Sequence, residues 1–194
     1  MIRKLLPVLL AALVLTTSLY GQEATAPTGY RNAVKLTFLS WATGSTKISY
    51  ERALPHRQSG EVCVSLISAG YDKYQNDPLG FTLRYGHKFF VGSPSDKGPL
   101  CGFYVRPEAI YSRYHYTPSD GGPRRLAAMG TLLATAGYQT TFGRLLVDGW
   151  FGGGPAVGIP AETGYHHGFQ LWKWLGTRND NIAMSFSIRI GYCF

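Results

Sequence analysis

From Ile182 to the terminal Phe194 every second residue is apolar. Ile182, Met184, Phe186, Ile188, Ile190, Tyr192 and Phe194 share one parity, while Ala183, Ser185, Ser187, Arg189, Gly191 and Cys193 fill the other. Successive side chains of a strand point to opposite faces, so this stretch has one unbroken apolar face and one small or charged face. Seven apolar positions in register outrun the roughly five or six residues of an ordinary soluble strand and suit a strand that crosses a bilayer with lipid on one side.

The same alternation recurs along the chain. Near Asn32 to Leu39, Val34, Leu36 and Phe38 oppose Ala33, Lys35 and Thr37; from Thr46 to Leu54, Ile48, Tyr50 and Leu54 oppose Lys47, Ser49 and Glu51. A third strand, Gly60 to Tyr71, turns Val62, Val64 and Leu66 outward. A fourth, Leu79 to Phe90, turns out Leu79, Phe81, Leu83, Tyr85 and Phe89, leaving Arg84 and Lys88 inward. In the fifth, Gly102 to Tyr114, Phe103, Val105, Ala109 and Tyr111 face away from Arg106 and Glu108, and Pro107, lacking an N–H, predicts a local irregularity. The sixth spans Met129 to Phe142. The seventh spans Arg144 to Val157, where the Gly152, Gly153, Gly154 run predicts a bend or bulge. With Ile182 to Phe194 these make eight strands. The connections around Pro55 to Ser59, Gly92 to Leu100 and Phe142 to Arg144 read as periplasmic turns, and Ser112 to Ala128 and Gly158 to Asn181 as the longest outer loops.

At the N-terminus Arg3 and Lys4 precede an apolar run, Leu5 to Leu15, followed by Thr16, Thr17 and Ser18, the charged, apolar and polar order of a secretory signal peptide. The expected organisation is a signal peptide over residues 1–21, a lead-in over 22–30 and one barrel domain over 31–194. Removing the leader takes two basic residues and leaves a formal charge of +6 from the +8 of the whole chain. For an exported chain, anionic lipid head groups are a nearer partner for that excess than nucleic acid. Cys63, Cys101 and Cys193 are an odd number for an oxidising compartment, and the sequence selects no pair; buried free thiols are the plain expectation.

The segments KISYERAL (Lys47 to Leu54), GFYVRPE (Gly102 to Glu108), GYQTTFGRLLVDGWFGGG (Gly137 to Gly154) and the terminal Phe194 resemble the small eight-stranded outer-membrane barrels of the OmpA/OmpX transmembrane type, in a branch of uncharacterised function. The resemblance covers almost all of the chain after the leader. It implies an all-β, eight-stranded, antiparallel up-and-down transmembrane barrel, and the chain is expected in a Gram-negative outer membrane as a monomer that meets the barrel-assembly machinery through Phe194. It carries no catalytic set and no cofactor.

Lys35, Glu51, Arg84, Arg106, Glu108, Asp148 and Arg189 all fall on the inward parity. A barrel of eight strands is just wide enough for side chains to fill, so these charges are expected to meet and pair, as structural filling or, less plainly, as a gated polar pore. Arg113, His115, Arg124, Arg125, His166, His167, Lys173 and Arg178 are expected on the outer loops, as a basic rim suited to lipopolysaccharide phosphates or to an extracellular protein or glycan. Tyr165, Phe169, Trp172 and Trp174 are expected there too, as an interfacial girdle or partner patch. Glu162, His166 and His167 lack the spacing of a dedicated metal site. The expected function is structural or surface-interacting, not enzymatic. Two other readings stand beside it. One is a lipid A or phospholipid acyl hydrolase using Ser112 or Ser119 with His115 and Glu108 or Asp120. The other is a soluble lipocalin-like barrel, in which the apolar parity would face inward.

Overall fold

The alternating segments become long antiparallel strands in the computed structural model, which describes residues 29–68, 76–93, 95–174 and 177–194. Among these residues there are nine strands: β1 (Asn32–Leu36), β2 (Ser45–Leu54), β3 (Gln58–Ile67), β4 (Asn76–Val91), β5 (Gly102–Thr117), β6 (Arg125–Phe142), β7 (Leu145–Ile159), β8 (Gln170–Trp174) and β9 (Thr177–Cys193). From β1 to β7 each strand pairs with the next, β7 pairs with β9, and β9 returns to β1, so eight strands form a ring. The seam runs from Ala33 opposite Cys193 to Leu36 opposite Ile190. Reciprocal bonds finish it, Asn32 N–H donating to the Phe194 carbonyl at 3.0 Å and Phe194 N–H to the Asn32 carbonyl at 2.9 Å. The short β8 lies outside this cycle and pairs with the far part of β9.

Closure assigns every parity to a face. Leu36, Ile48, Leu66, Leu83, Phe103, Leu132, Phe151 and Phe186 stand exposed on the outside, while Lys35, Glu51, Glu61, Arg106, Asp148 and Arg189 are buried within. The apolar face is thus outside the ring, the reverse of what a lipocalin-like arrangement requires.

Several boundaries differ from the sequence expectation. β1 stops at Leu36, and Phe38–Thr43 wind into a 3-10 turn that ends on Gly44 in the left-handed region (φ 75). β3 ends at Ile67, and the rest of the strand expected to Tyr71 falls largely outside the described residues. β5 and β6 run on to Thr117 and from Arg125, so the expected loop from Ser112 to Ala128 shrinks to residues 118–124. Arg113 and His115 therefore sit on a strand, because Ser112, Tyr114 and Tyr116 continue the buried parity.

Pro107 behaves as expected of a residue without an N–H: pairing of β4 with β5 is interrupted opposite it, at His87 and Lys88, and then resumes in unchanged register. The glycine run gives no bulge, since β7 keeps one register with β6 and one with β9 through it. Its glycines serve close approach instead. A Cβ on Gly152 would meet the Ala134 carbonyl oxygen at 2.3 Å, and one on Gly154 the Leu132 carbonyl oxygen at 2.1 Å.

Both described termini and the connections 55–57, 92–101 and 143–144 lie at one end of the ring, here the near end. At the last, Gly143 (φ 63) supplies the positive φ that a two-residue hairpin turn needs at its first position. The 3-10 turn, the end of β3 and the connections after β5 and β7 lie at the far end. The expected signal peptide, residues 1–21, and all of the lead-in but 29–30 lie outside the described residues.

Gly152→Val should wedge β6 from β7. A loss of roughly 1–3 kcal/mol is expected for such overpacking, read as a lower denaturant midpoint in urea unfolding followed by tryptophan fluorescence.

Candidate functional site: the charged lumen and its plugged mouth

Every strand of the ring sends a polar side chain to one interior layer: Lys35 from β1, Glu51 from β2, Glu61 from β3, Lys88 from β4, Arg106 and Glu108 from β5, Gln139 from β6, Asp148 from β7 and Arg189 from β9. Asp148 is the hub. Its Oδ2 accepts from Lys35 Nζ at 2.8 Å, Lys88 Nζ at 3.0 Å and Arg189 Nη2 at 3.1 Å, and its Oδ1 accepts from the Tyr104 hydroxyl at 2.6 Å. Lys35 also donates to Glu61 and to the Gln139 carbonyl oxygen, each at 2.9 Å, and pairs with Glu51. Arg189 pairs with Glu61 and donates to Ser49 Oγ at 2.9 Å. A second group joins at one side, where Glu108 forms an ion pair with Arg84 at 3.0 Å and accepts from Arg106 at 3.1 Å, and Arg106 lies 3.7 Å from Glu61.

The barrel wall makes room for these long side chains. A Cβ on Gly86 would sit 2.6 Å from Arg106 Cδ, and one on Gly137 2.5 Å from the Tyr104 hydroxyl, so only glycine lets the arginine lie across β4 and the tyrosine reach Asp148. The cations also use aromatic faces: Trp150 lies under the Arg189 and Arg106 guanidinium groups at 4.1 and 4.7 Å, and Tyr104 under Lys88 Nζ at 4.4 Å. Unpaired charge would be costly in so dry a space, and the arrangement answers that by giving each carboxylate at least two cationic partners. Oxygens of Glu51, Glu61 and Asp148 approach one another within 4.8 Å, close enough to ligate one ion, but the Lys35 and Lys88 ammonium groups already stand among them.

All seven interior residues expected from the sequence meet in this network. Glu61, Lys88, Gln139 and Tyr104 also belong to it; parity was the available signal, and Lys88 already carried it. Apolar layers lie on both sides. Ala33, Ala53, Leu100, Leu146 and Cys193 pack at the near end, where Gln139 Nε2 donates to the Leu100 carbonyl at 2.9 Å. Toward the far end Ile110, Met129, Leu133, Phe169 and Leu171 form the other layer. The three cysteines are buried free thiols.

Phe169 and Leu171 come from the segment after β7, which folds back into the mouth instead of standing on the surface. His166 and His167 are wholly buried and Phe169 nearly so, which removes all three from the expected outer rim and aromatic patch. The reason is local pairing. His166 stacks on Phe169 at 5.1 Å, and His167 meets the Tyr114 ring edge-on at 4.9 Å. The plug is tied to the wall by Arg84 and Ser185, which donate to the Gly168 carbonyl at 2.7 and 2.9 Å, and by the Tyr114 hydroxyl, which donates to the Tyr165 carbonyl at 2.7 Å. Burial pushes His166 down to about 4, with Arg178 adding to the effect, and His167 down to about 3, with Lys47 adding.

The remaining rim residues are placed as follows. Arg113, Arg124, Arg125 and Lys173 are exposed, Trp172 is half-buried, and the Trp174 side chain lies outside the described residues. Arg125 pairs with Glu162 and Arg178 with Asp180. Glu162 is thereby held away from the buried His166, whose Nε2 accepts from Ala161 N–H at 3.3 Å, so the three residues weighed for a metal do not converge. The residues of the hydrolase reading are also separated: Ser112 points inward and accepts from Thr82 Oγ1 at 3.1 Å, while His115 points outward.

The fold and this interior define a class: a closed eight-stranded antiparallel barrel with an apolar exterior and a charged, plugged lumen. Among solved structures, Neisserial surface protein A is similar at a TM-score of 0.48 with 13% identity, over 85% of this chain and 96% of that one. No protein-family model matches the sequence, and no curated protein does.

Asp148→Ala strips three cations of a shared acceptor. The expected cost is about 3–5 kcal/mol, seen as a large fall in denaturant midpoint, whereas Arg113→Ala on the exposed wall should move it little. The two histidines give a pH dependence with a definite sign. Their folded forms are held neutral below the ordinary value near 6.5, so their contribution is complete above about pH 6.5 and is lost as pH falls toward 4 and then 3. Cleavage within residues 160–174 by an acid-tolerant protease should therefore accelerate between pH 7 and pH 4, and His166→Phe with His167→Phe should flatten that response.

Proposed function

We propose that this chain is a monomeric integral outer-membrane β-barrel with a structural or surface-interaction role. The observation that carries the reading is the distribution of polarity: every ring strand presents large apolar side chains outward, among them Phe186 at 80%, Phe151 at 70% and Leu132 at 66% exposed, around an interior of paired charge. Only lipid makes such an exterior favourable, and pairing of β1 with β9 from Ile190 to Cys193 closes the ring. Aromatics at the near end suit the headgroup boundary. Phe103 packs on Tyr138 at 4.7 Å, and Arg144 lies between Tyr30 and Tyr192, both of which it contacts. Phe194, half exposed beside the seam, is suited to engage assembly machinery.

At the far end Arg113, Arg124 and Lys173 have no carboxylate partner among the described residues, and they are the groups best disposed toward lipopolysaccharide phosphates. The paired layer and the apolar layers above and below it favour a filled strut over a conducting pore.

Outer-membrane fractions resolved by detergent gel, unheated against boiled, test the reading. A heat-dependent mobility shift is expected, and recovery in the soluble periplasm without a shift would overturn it. With the barrel established, Arg113→Ala, Arg124→Ala and Lys173→Ala combined should lower co-purifying lipopolysaccharide; an unchanged amount would exclude the rim as its contact.

A further inference from the structure

The ring is incomplete in its far half at one place. β1 leaves β9 after Leu36 opposite Ile190, and β8 joins the same edge only at Gln170 opposite Met184, so among the described residues no strand pairs with that edge of β9 at 185–189. The 3-10 turn packs between β2 and β9 there. A cavity of about 320 Å³ occupies the interval, at the lower end of the range for small-ligand pockets, about 300–1,000 Å³. Its lining takes in both faces of β9, the inward Ser187 and Arg189 and the outward Met184 and Phe186, so the cavity passes through the wall from the charged lumen to the apolar exterior.

The lumen end of this passage is rich in donors and short of acceptors. Five interior cations, Lys35, Arg84, Lys88, Arg106 and Arg189, share four carboxylates, Glu51, Glu61, Glu108 and Asp148. Lys47, which lines the cavity, adds a further amine donor and has no carboxylate partner among the described residues. Two more lining residues carry buried N–H groups without an acceptor, Trp150 at Nε1 and Arg189 at Nε. A group that only accepts hydrogen bonds and carries negative charge is the kind of partner such donors lack. The wall end offers Phe186 and Met184 to a hydrocarbon chain.

We infer that this passage binds an anionic amphiphile, its phosphate or carboxylate head on Lys47 and its alkyl chain leaving between the 3-10 turn and β9 into the surrounding lipid. The inference rests on the membrane reading above, and its test separates the two. Folded protein in neutral detergent is mixed with dodecyl phosphate, with inorganic phosphate or with dodecyl maltoside, and retained adducts are counted by native mass spectrometry; the heat-dependent gel shift is run on the same samples. One dodecyl phosphate per chain is expected, with neither of the others retained. Lys47→Gln should reduce retention about tenfold, the effect of losing one charge-assisted bond, and Ser187→Leu should do so by filling the passage with the charge intact. Equal retention of dodecyl phosphate by wild type and both variants, or none by wild type, overturns the site. Retention of inorganic phosphate as well as the alkyl ester overturns the alkyl part and leaves a free-anion site. Loss of the gel shift in wild type overturns the membrane reading and this inference with it, while its loss in Lys47→Gln alone passes the decision to Ser187→Leu.

Discussion

Closure of the backbone ladder between β1 and β9 is the constraint on which the rest depends. An open sheet with this alternation would have two usable faces and two edges; the ring has an inside and an outside and, along the seam, no edge. Once Asn32 and Phe194 exchange their backbone hydrogen bonds, the parity of Lys35 is committed to the interior and that of Val34 and Leu36 to the exterior. Pairing then carries the commitment from strand to strand. A slip of one residue anywhere would exchange the charged and apolar sets of a whole strand, which is why register is strongly specified here.

Confinement then makes the interior what it is. Eight strands enclose a space that side chains fill, and the chain fills its middle with charge rather than with a core of aliphatic side chains. Such a layer stands only if its members satisfy one another, and the geometry shows the accommodation: glycine opposite Arg106 and opposite Tyr104, indole under two guanidinium groups, Gln139 bridging two ammonium groups and a backbone carbonyl. Buried ion pairs contribute little net stability compared with apolar packing, but breaking one is expensive. The layer thus acts less as a source of stability than as a lock on which strands may be neighbours.

The parts of the structure governed by period two were legible in the sequence. The outward sets of all the long strands, the seven interior charges and the turns at Pro55 and Gly143 follow from alternation and turn chemistry. What was not legible came from contacts that ignore that period. Nothing local marks Leu36 as the end of β1, since Thr37 and Phe38 continue the pattern, yet the chain winds into the 3-10 turn Phe38–Thr43 and leaves β9 before β8 joins it at Met184. His166 and His167 look like loop residues in a polar, glycine-containing stretch, and only the aromatic partners Tyr114 and Phe169 explain their burial. Lys47 sits on the inward parity in plain view, yet its lack of a counter-charge is a property of the assembled lumen.

That lack and the early end of β1 belong to one piece of architecture. A barrel wall with a complete ladder admits nothing from the side, and a lumen with balanced charge attracts nothing. Here the wall is interrupted at residues 185–189 of β9 at the level where the interior carries surplus positive charge, and the turn that replaces β1 is built from Ser40, Thr43 and neighbours instead of a hydrogen-bonded strand. With the far mouth occupied by the folded-back segment and the near end packed with Leu100 and Leu146, the open direction of this interior is sideways. A plugged barrel open to its side is poorly shaped to pass solutes along its axis and well shaped to hold a molecule that arrives dissolved in the bilayer.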